Sequence, residues 1–183
     1  MRSDSLPWSS TSDGVQFSGR DGRVTFARDG VSLASADQVV VMPWSRIAGV
    51  RVAFPWTSVP RRRAENVFSA LGPTFFLTPE DSTYVELLDA LGEPFEIVRV
   101  QEKDPRKFDW RLSFAVEVGL DVLGASGELL RLADSRTWDA LANEVARRVP
   151  LRSRFFRYLF DGLDSRFGGR ETVRKAAVRH LLP

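Results

Sequence analysis

The apolar positions of this chain recur in two rhythms. Up to about residue 123 they come in short runs at a spacing of two. From about residue 134 they take the three-and-four spacing of a helix. The stretch "GRVTFARDGVSLAS" alternates through Val24 and Phe26, turns at Asp29-Gly30, and resumes with Val31 and Leu33, which is a hairpin pattern. "QVVVMPW" reads as the next strand and "IAGVRVAF" as the one after it. The link between them, "VMPWSRIAGV", reads as a corner. Pro43 ends strand pairing, Trp44 and Ile47 turn inward, and Ser45 and Arg46 face solvent. "TFFLT" and "TYVELLDALGEPFEIVRV" supply three further strands, the last two joined at Leu91-Gly92-Glu93-Pro94.

Residues 109–123, "DWRLSFAVEVGLDVL", carry apolar side chains at every second position. At a spacing of two, Leu112, Phe114, Val116, Val118, Leu120 and Val122 fall on one side. Arg111, Ser113, Ala115, Glu117, Gly119 and Asp121 fall on the other. A half-buried strand is the better fit, with a helix as the alternative. Beyond Asp134 the period changes: Trp138, Leu141, Ala142, Val145 and Val149 form one helical stripe. Asp134 or Ser135 can cap it, Arg147 and Arg148 suit its C-terminal end, and Pro150 follows. Two more helices are expected at about 152–167 and 171–181. Residues 1–14 read as an irregular arm. Residues 55–73 hold a triple-arginine loop and a short helix from Ala64 to Leu71.

The order predicts an α+β chain: an antiparallel bent sheet or small barrel of seven to eight strands, closed by a C-terminal helix over 134–149 and followed by two further short helices. Three segments result: the arm at 1–14, a β-domain at 15–149, and a basic helical extension at 150–183. A 43% apolar and 27% charged composition over 183 residues suits one domain with a real core. No apolar run nears the roughly 20 residues of a membrane span. The opening residues hold no apolar core of a signal peptide. The expected location is cytoplasmic, with attachment to a membrane surface as the variant.

Two absences narrow the chemistry. The chain has no cysteine, which excludes disulfides, thiolate nucleophiles and cysteine metal sites. Its one histidine, His180, leaves no multi-histidine metal site. Residues 147–183 hold ten Arg/Lys against three acids, and residues 1–146 hold sixteen against twenty-one. A mildly acidic body thus carries a basic tail, suited to an anionic partner or to docking on the body itself.

"VVVMPWSRIAGVRV" resembles the strand, Pro-Trp corner and strand of bacterial pleckstrin-homology-like and GRAM-like modules. "LRLADSRTWDALANEV" resembles the C-terminal helix of that superfold with its inward tryptophan, here Trp138. The likeness to a bacterial PH-like domain spans about residues 15–149. It implies a scaffold for protein or membrane contacts, without catalysis. Residues 55–72 and the tail after 150 depart from the minimal fold. The first hairpin offers Arg20, Arg23 and Arg28 interrupted by Asp21 and Asp29, with no lysine, which argues against lipid headgroup binding by that route.

Candidate contacts follow from charge and aromatic content. Arg61, Arg62 and Arg63 present guanidinium forks suited to oxyanions, or simply a solvated loop. In "LRSRFFRYLFDGLDSRFGG", Phe156, Leu159, Phe160, Leu163 and Phe167 form an apolar stripe. Phe155 and Tyr158 lie off it, among Arg154 and Arg157. Arg154, Phe155, Arg157 and Tyr158 are therefore the other candidate partner contacts. The carboxylates Glu80-Asp81, Asp104 and Asp109 read as turn and solvated connector, and His180 as exposed. No glycine-rich phosphate loop and no G-x-S-x-G is present. No catalytic, cofactor or metal residue is assigned. The expected function is a non-enzymatic interaction or scaffold module for a protein partner or a second copy. A peripheral membrane module on anionic lipid is the alternative, a carboxylate-based enzyme a weaker one, and nucleic acid the least expected partner.

Overall fold

In the computed structural model, residues 6–35, 38–55, 81–106, 108–149 and 169–183 are described. Eight strands form two antiparallel sheets among them. The first is a meander of β1 (Ser9–Thr11), β2 (Gly14–Ser18), β3 (Arg23–Ala27), β4 (Gly30–Ala34) and β5 (Val39–Met42). The second holds β6 (Gly49–Ala53), β7 (Thr83–Leu88) and β8 (Pro94–Gln101) in sequence order. Its helices are α1 (Trp110–Ser126), α2 (Ser135–Ala140) and α3 (Gly169–Leu181). The α+β class and the antiparallel strands match the expectation. The barrel does not: the strands divide into two sheets that do not close.

Alternation sets which face of the first sheet is buried. Val15, Phe17, Val24, Phe26, Val31 and Leu33 point inward, while Gln16, Thr25 and Ser32 stand in one outward row. The inward face meets Trp138 of α2. Its ring centroid lies 4.9 Å from that of Trp8, 5.2 Å from Phe17 and 5.5 Å from Phe26. The Trp138 indole donates to the Leu132 carbonyl at 2.8 Å, so burial leaves its one polar atom satisfied. Trp8 belongs to the stretch expected to be an irregular arm. That expectation fails there: Trp8 is buried, and Ser9–Thr11 pairs with β2.

The corner at residues 43–48 behaves as the sequence predicts. Trp44–Arg46 form one 3₁₀ turn after Pro43. Trp44 stacks on Phe26 and donates its indole N–H to the Ala27 carbonyl at 2.9 Å. Ile47 is buried, and Ser45 and Arg46 are exposed. The chain then enters the second sheet, where the Ala48 amide donates to Leu88. A second junction joins the sheets. The turn between β2 and β3 directs the Asp21 and Gly22 amides onto the Val100 carbonyl at the end of β8.

Residues 110–126 correct the sequence reading most. The segment is a helix, not a strand. Asp109 caps its start by accepting from the Arg111 amide at 2.9 Å, and Gly127, at φ +73°, ends it in the left-handed conformation. The alternation arose from counting Ala115 and Gly119 as outward positions. Both are buried. A Cβ at Gly119 would collide with Leu141, so this glycine lets α1 approach α2's continuation and α3 closely. The truly polar positions Ser113, Glu117 and Asp121 are spaced by four and make one stripe, while the other positions from Leu112 to Leu123 are buried.

The helix expected over 134–149 exists in three parts. Asp134, rather than Ser135, caps α2 through the Arg136 amide. A π-turn over Leu141–Val145 follows, then a 3₁₀ turn over Ala146–Arg148. Trp138 of this run sits against the first sheet, while its π-turn packs on α1 and α3. The second sheet is served by α1, which lies along β6. The helix expected over 171–181 is α3, begun slightly earlier. Its Val173, Ala177 and Leu181 are buried in the same core as α1 and α2, so this part of the basic extension is built into the body. The strand expected at 74–78 and the helices expected at 64–71 and 152–167 lie outside the described residues.

Two measurements check this packing. Trp138→Ala should lower unfolding stability by about 3–5 kcal/mol in a denaturant titration, as for large aromatic truncations in a core. A chain stopped after Val149 loses Val173, Ala177 and Leu181, and should show a lower melting temperature and increased binding of a hydrophobic dye.

Candidate functional site

The residues chosen from the sequence as partner contacts, Arg61, Arg62, Arg63, Arg154, Phe155, Arg157 and Tyr158, lie outside the described residues. The anchors of the 56–80 segment are described. The Phe108 amide donates to the Pro55 carbonyl at 3.0 Å, and the Asp104 amide donates to the Asp81 carbonyl at 2.7 Å. The turn after β8 therefore clamps both the departure and the return of the segment that carries the triple arginine.

Asp104 is the centre of that clamp and corrects the expectation of a solvated connector: it is buried. Its carboxylate accepts from the Thr83 hydroxyl at 2.8 Å, from the Arg106 amide at 3.0 Å, and from the Arg106 guanidinium at 2.9 and 2.7 Å. Burial alone would raise this carboxyl. The Arg106 and Thr83 hydrogen bonds outweigh it and hold Asp104 below the usual carboxylate range. Arg106 also lies over the Phe108 ring, which meets Phe54 edge-on. The arrangement is a fully satisfied structural anchor. Its carboxylate lone pairs are committed to fixed donors.

A cleft of about 380 Å³ opens between β6, β7, α1 and α3. Arg51, Tyr84, Ser113, Glu117, Asp121 and Arg170 supply its polar lining. Arg170 of α3 reaches Glu117 at 3.1 Å and Asp121 at 2.6 Å, which closes the polar stripe of α1. Arg51 pairs with Glu86 directly across β6 and β7 at 3.3 Å. Desolvation pushes the Asp121 carboxyl above its ordinary value, Arg170 pulls it down and Glu117 pushes it up. Asp121 keeps 58% of its side chain exposed, so water screens this interplay. Arg170 ties α3 to α1, and Arg51 ties β6 to β7. Among the described residues no group of three or more His, Asp or Glu is placed to hold a metal.

Sequence reasoning missed a different feature. Large apolar side chains are exposed on the strands and a turn, at Val39 and Val41 of β5, Phe95 and Ile97 of β8 and Leu91 between β7 and β8, and on the helical side at Leu130 and Val178. The signal was present, since "QVVVM" carries more apolar residues than one buried face can absorb. Which of the valines faces outward depends on pairing. Among the described residues no helix is long and apolar enough to cross a membrane.

Compared with known proteins, the chain matches no family model, no curated protein and no solved structure. The class its described residues define is an α+β protein of two antiparallel sheets and three α-helices.

The Asp104 anchor makes a pH prediction. Its folded pKa is depressed, so its contribution to stability is present above the unfolded value of 3.8 and is lost as pH falls through the lower folded value. Asp104→Asn should flatten that acid limb in denaturant titrations between about pH 2 and pH 7. At neutral pH, Asp104→Ala should cost about 1–3 kcal/mol, because Thr83 loses its acceptor while the partly exposed Arg106 can turn to water.

Proposed function

We propose that this chain is a non-enzymatic, PH-like interaction module that docks a protein partner, with the β7–β8 hairpin as a principal contact. The observation that carries the reading is the presentation of Leu91. The side chain stands 86% exposed on a turn that is firmly tied. The Asp89 carboxylate accepts from the Leu91 and Glu93 amides at 2.8 and 3.0 Å, the Asp89 amide donates to the Glu93 carbonyl, and Gly92 supplies the left-handed residue at φ +80°. Because the turn's backbone is already ordered, covering Leu91 with a partner costs little further backbone freedom. Ile97, 56% exposed, and Phe95 extend the apolar surface along β8.

Charge favours a protein over an anionic membrane. Asp89 and Glu93 flank Leu91 in the turn and would repel acidic headgroups there. The basic and aromatic candidates Arg61, Arg62, Arg63, Arg154, Phe155, Arg157 and Tyr158 are proposed as further contacts for the same class of partner. Point substitutions test them better than truncation, because the end of the chain belongs to the core.

A photo-crosslinking residue placed at position 91 or 97 in cells should give a discrete heavier adduct that the same residue at exposed Ser12 does not. Phe155→Ala with Tyr158→Ala should weaken that adduct. Anionic vesicles at low salt should leave the purified chain in the supernatant. Equal adducts from position 12, or pelleting that salt reverses, would refute the protein-docking reading, the latter in favour of a lipid surface.

A further inference from the structure

We infer that β5 is a self-pairing edge, and that two copies of this chain join their first sheets by antiparallel contact of β5 with β5 about a two-fold axis at Val40. The inference goes beyond the interaction-module reading: it uses a surface separate from the β7–β8 hairpin and stands or falls apart from it.

Register gives the argument. The Ser35 amide donates to the Gln38 carbonyl at 2.9 Å, which makes 35 and 38 a hydrogen-bonded pair of the β4–β5 hairpin. Hydrogen-bonded and open pairs alternate along an antiparallel ladder. With Leu33 opposite Val40 and Val31 opposite Met42, residues 40 and 42 spend their backbone groups on β4. The amides and carbonyls of Val39 and Val41 therefore point away from the sheet, along an edge that no strand occupies among the described residues. The same two residues expose their side chains, at 65% and 55%.

The other three sheet edges differ. β1 is a short, wholly polar run, Ser9–Thr11. β6 lies against α1, and β8 has its Val100 carbonyl taken by the Asp21 and Gly22 amides. Edge strands are ordinarily guarded by charge, proline or a bulge. β5 has no charge from Gln38 to Ser45 and no bulge, and its proline comes only after the strand.

The sequence of the edge selects a second copy as the occupant. A two-fold axis at Val40 sets Val39 of one copy against Val41 of the other, in both directions, so every outward amide meets an outward carbonyl. Gln38 then faces Met42, so no like charges are opposed. Pro43 would be the next outward-facing position. It has no N–H, which stops the ladder and disfavours a shifted register. So short a strand pair buries far less than the roughly 1,200 Å² of a stable interface, so the dimer is weak and forms with rising concentration.

Sedimentation equilibrium from about 10 µM to about 1 mM should show the average mass rising above the 20.6 kDa of one chain. Over that range, hydrogen exchange at the Val39 and Val41 amides should slow about fivefold or more, while Val40 and Met42 stay unchanged. Val41→Pro removes an outward N–H that β4 does not use, and Val39→Lys places like charges near the axis. Each should weaken association at least about tenfold while keeping the wild-type melting curve. Should one variant misfold, the other and the exchange pattern still decide. A chain that stays monomeric at every concentration overturns the inference, whether or not another extended peptide uses the edge. So does a dimer indifferent to both substitutions, or one whose protection lies elsewhere. A substitution at Ile97 that abolishes partner capture should leave the self-association intact.

Discussion

The aromatic cluster around Trp138 is the contact on which the rest of the structure depends. It is where three distant parts of the chain meet: Trp8 before β1, Phe17 and Phe26 from the sheet face, and the indole itself from α2. Trp44 joins through Phe26, so the corner that delivers the chain to the second sheet rests on the same group. Flat rings of this size fill the space under a twisted sheet with few side chains, and their edge and tilted contacts define one arrangement. The two indole N–H groups that meet backbone carbonyls, at Leu132 and Ala27, fix the rings in rotation as well.

The second sheet is held by different means. α1 lies along β6, and α3 lies against α1. Contact between the helices is close because Gly119 has no side chain at the crossing. Their solvent side is latched by Arg170, which bridges two turns of α1 through Glu117 and Asp121. Exposed pairs of this kind contribute little energy, yet they specify which face of α3 looks outward. At the far end of the sheet Asp104 does the equivalent work from inside, gathering Thr83, Arg106 and the Asp81 carbonyl. The polar contacts of Asp104 and Arg170 thus serve architecture.

Much of this was legible in the sequence where local signals agreed. The Asp29-Gly30 hairpin, the Pro43-Trp44 corner, the inward Trp138, the Asp134 cap and the C-terminal helix all carry turn, cap or period signals that do not depend on neighbours. The errors fell where packing decides. Residues 110–126 are apolar on nearly every side because α2's run, α3 and β6 surround them, so the helical period reduces to Ser113, Glu117 and Asp121. Asp104 looked like any loop carboxylate because its partners, Thr83 and the turn at Arg106, come together only in three dimensions.

The sequence by itself determined the α+β class, the antiparallel strands, the corner and the chemistry that a chain without cysteine and with one histidine forgoes. Those follow from side-chain period, turn residues and composition, which are local. Only the tertiary structure decided that the strands split into two sheets, that the basic C-terminal helix is part of the core, and that Val39, Val41 and Leu91 face water. Exposure is a property of what lies opposite a side chain. A run of valines states its preference for burial, but the register of β4 against β5 settles which of them obtains it.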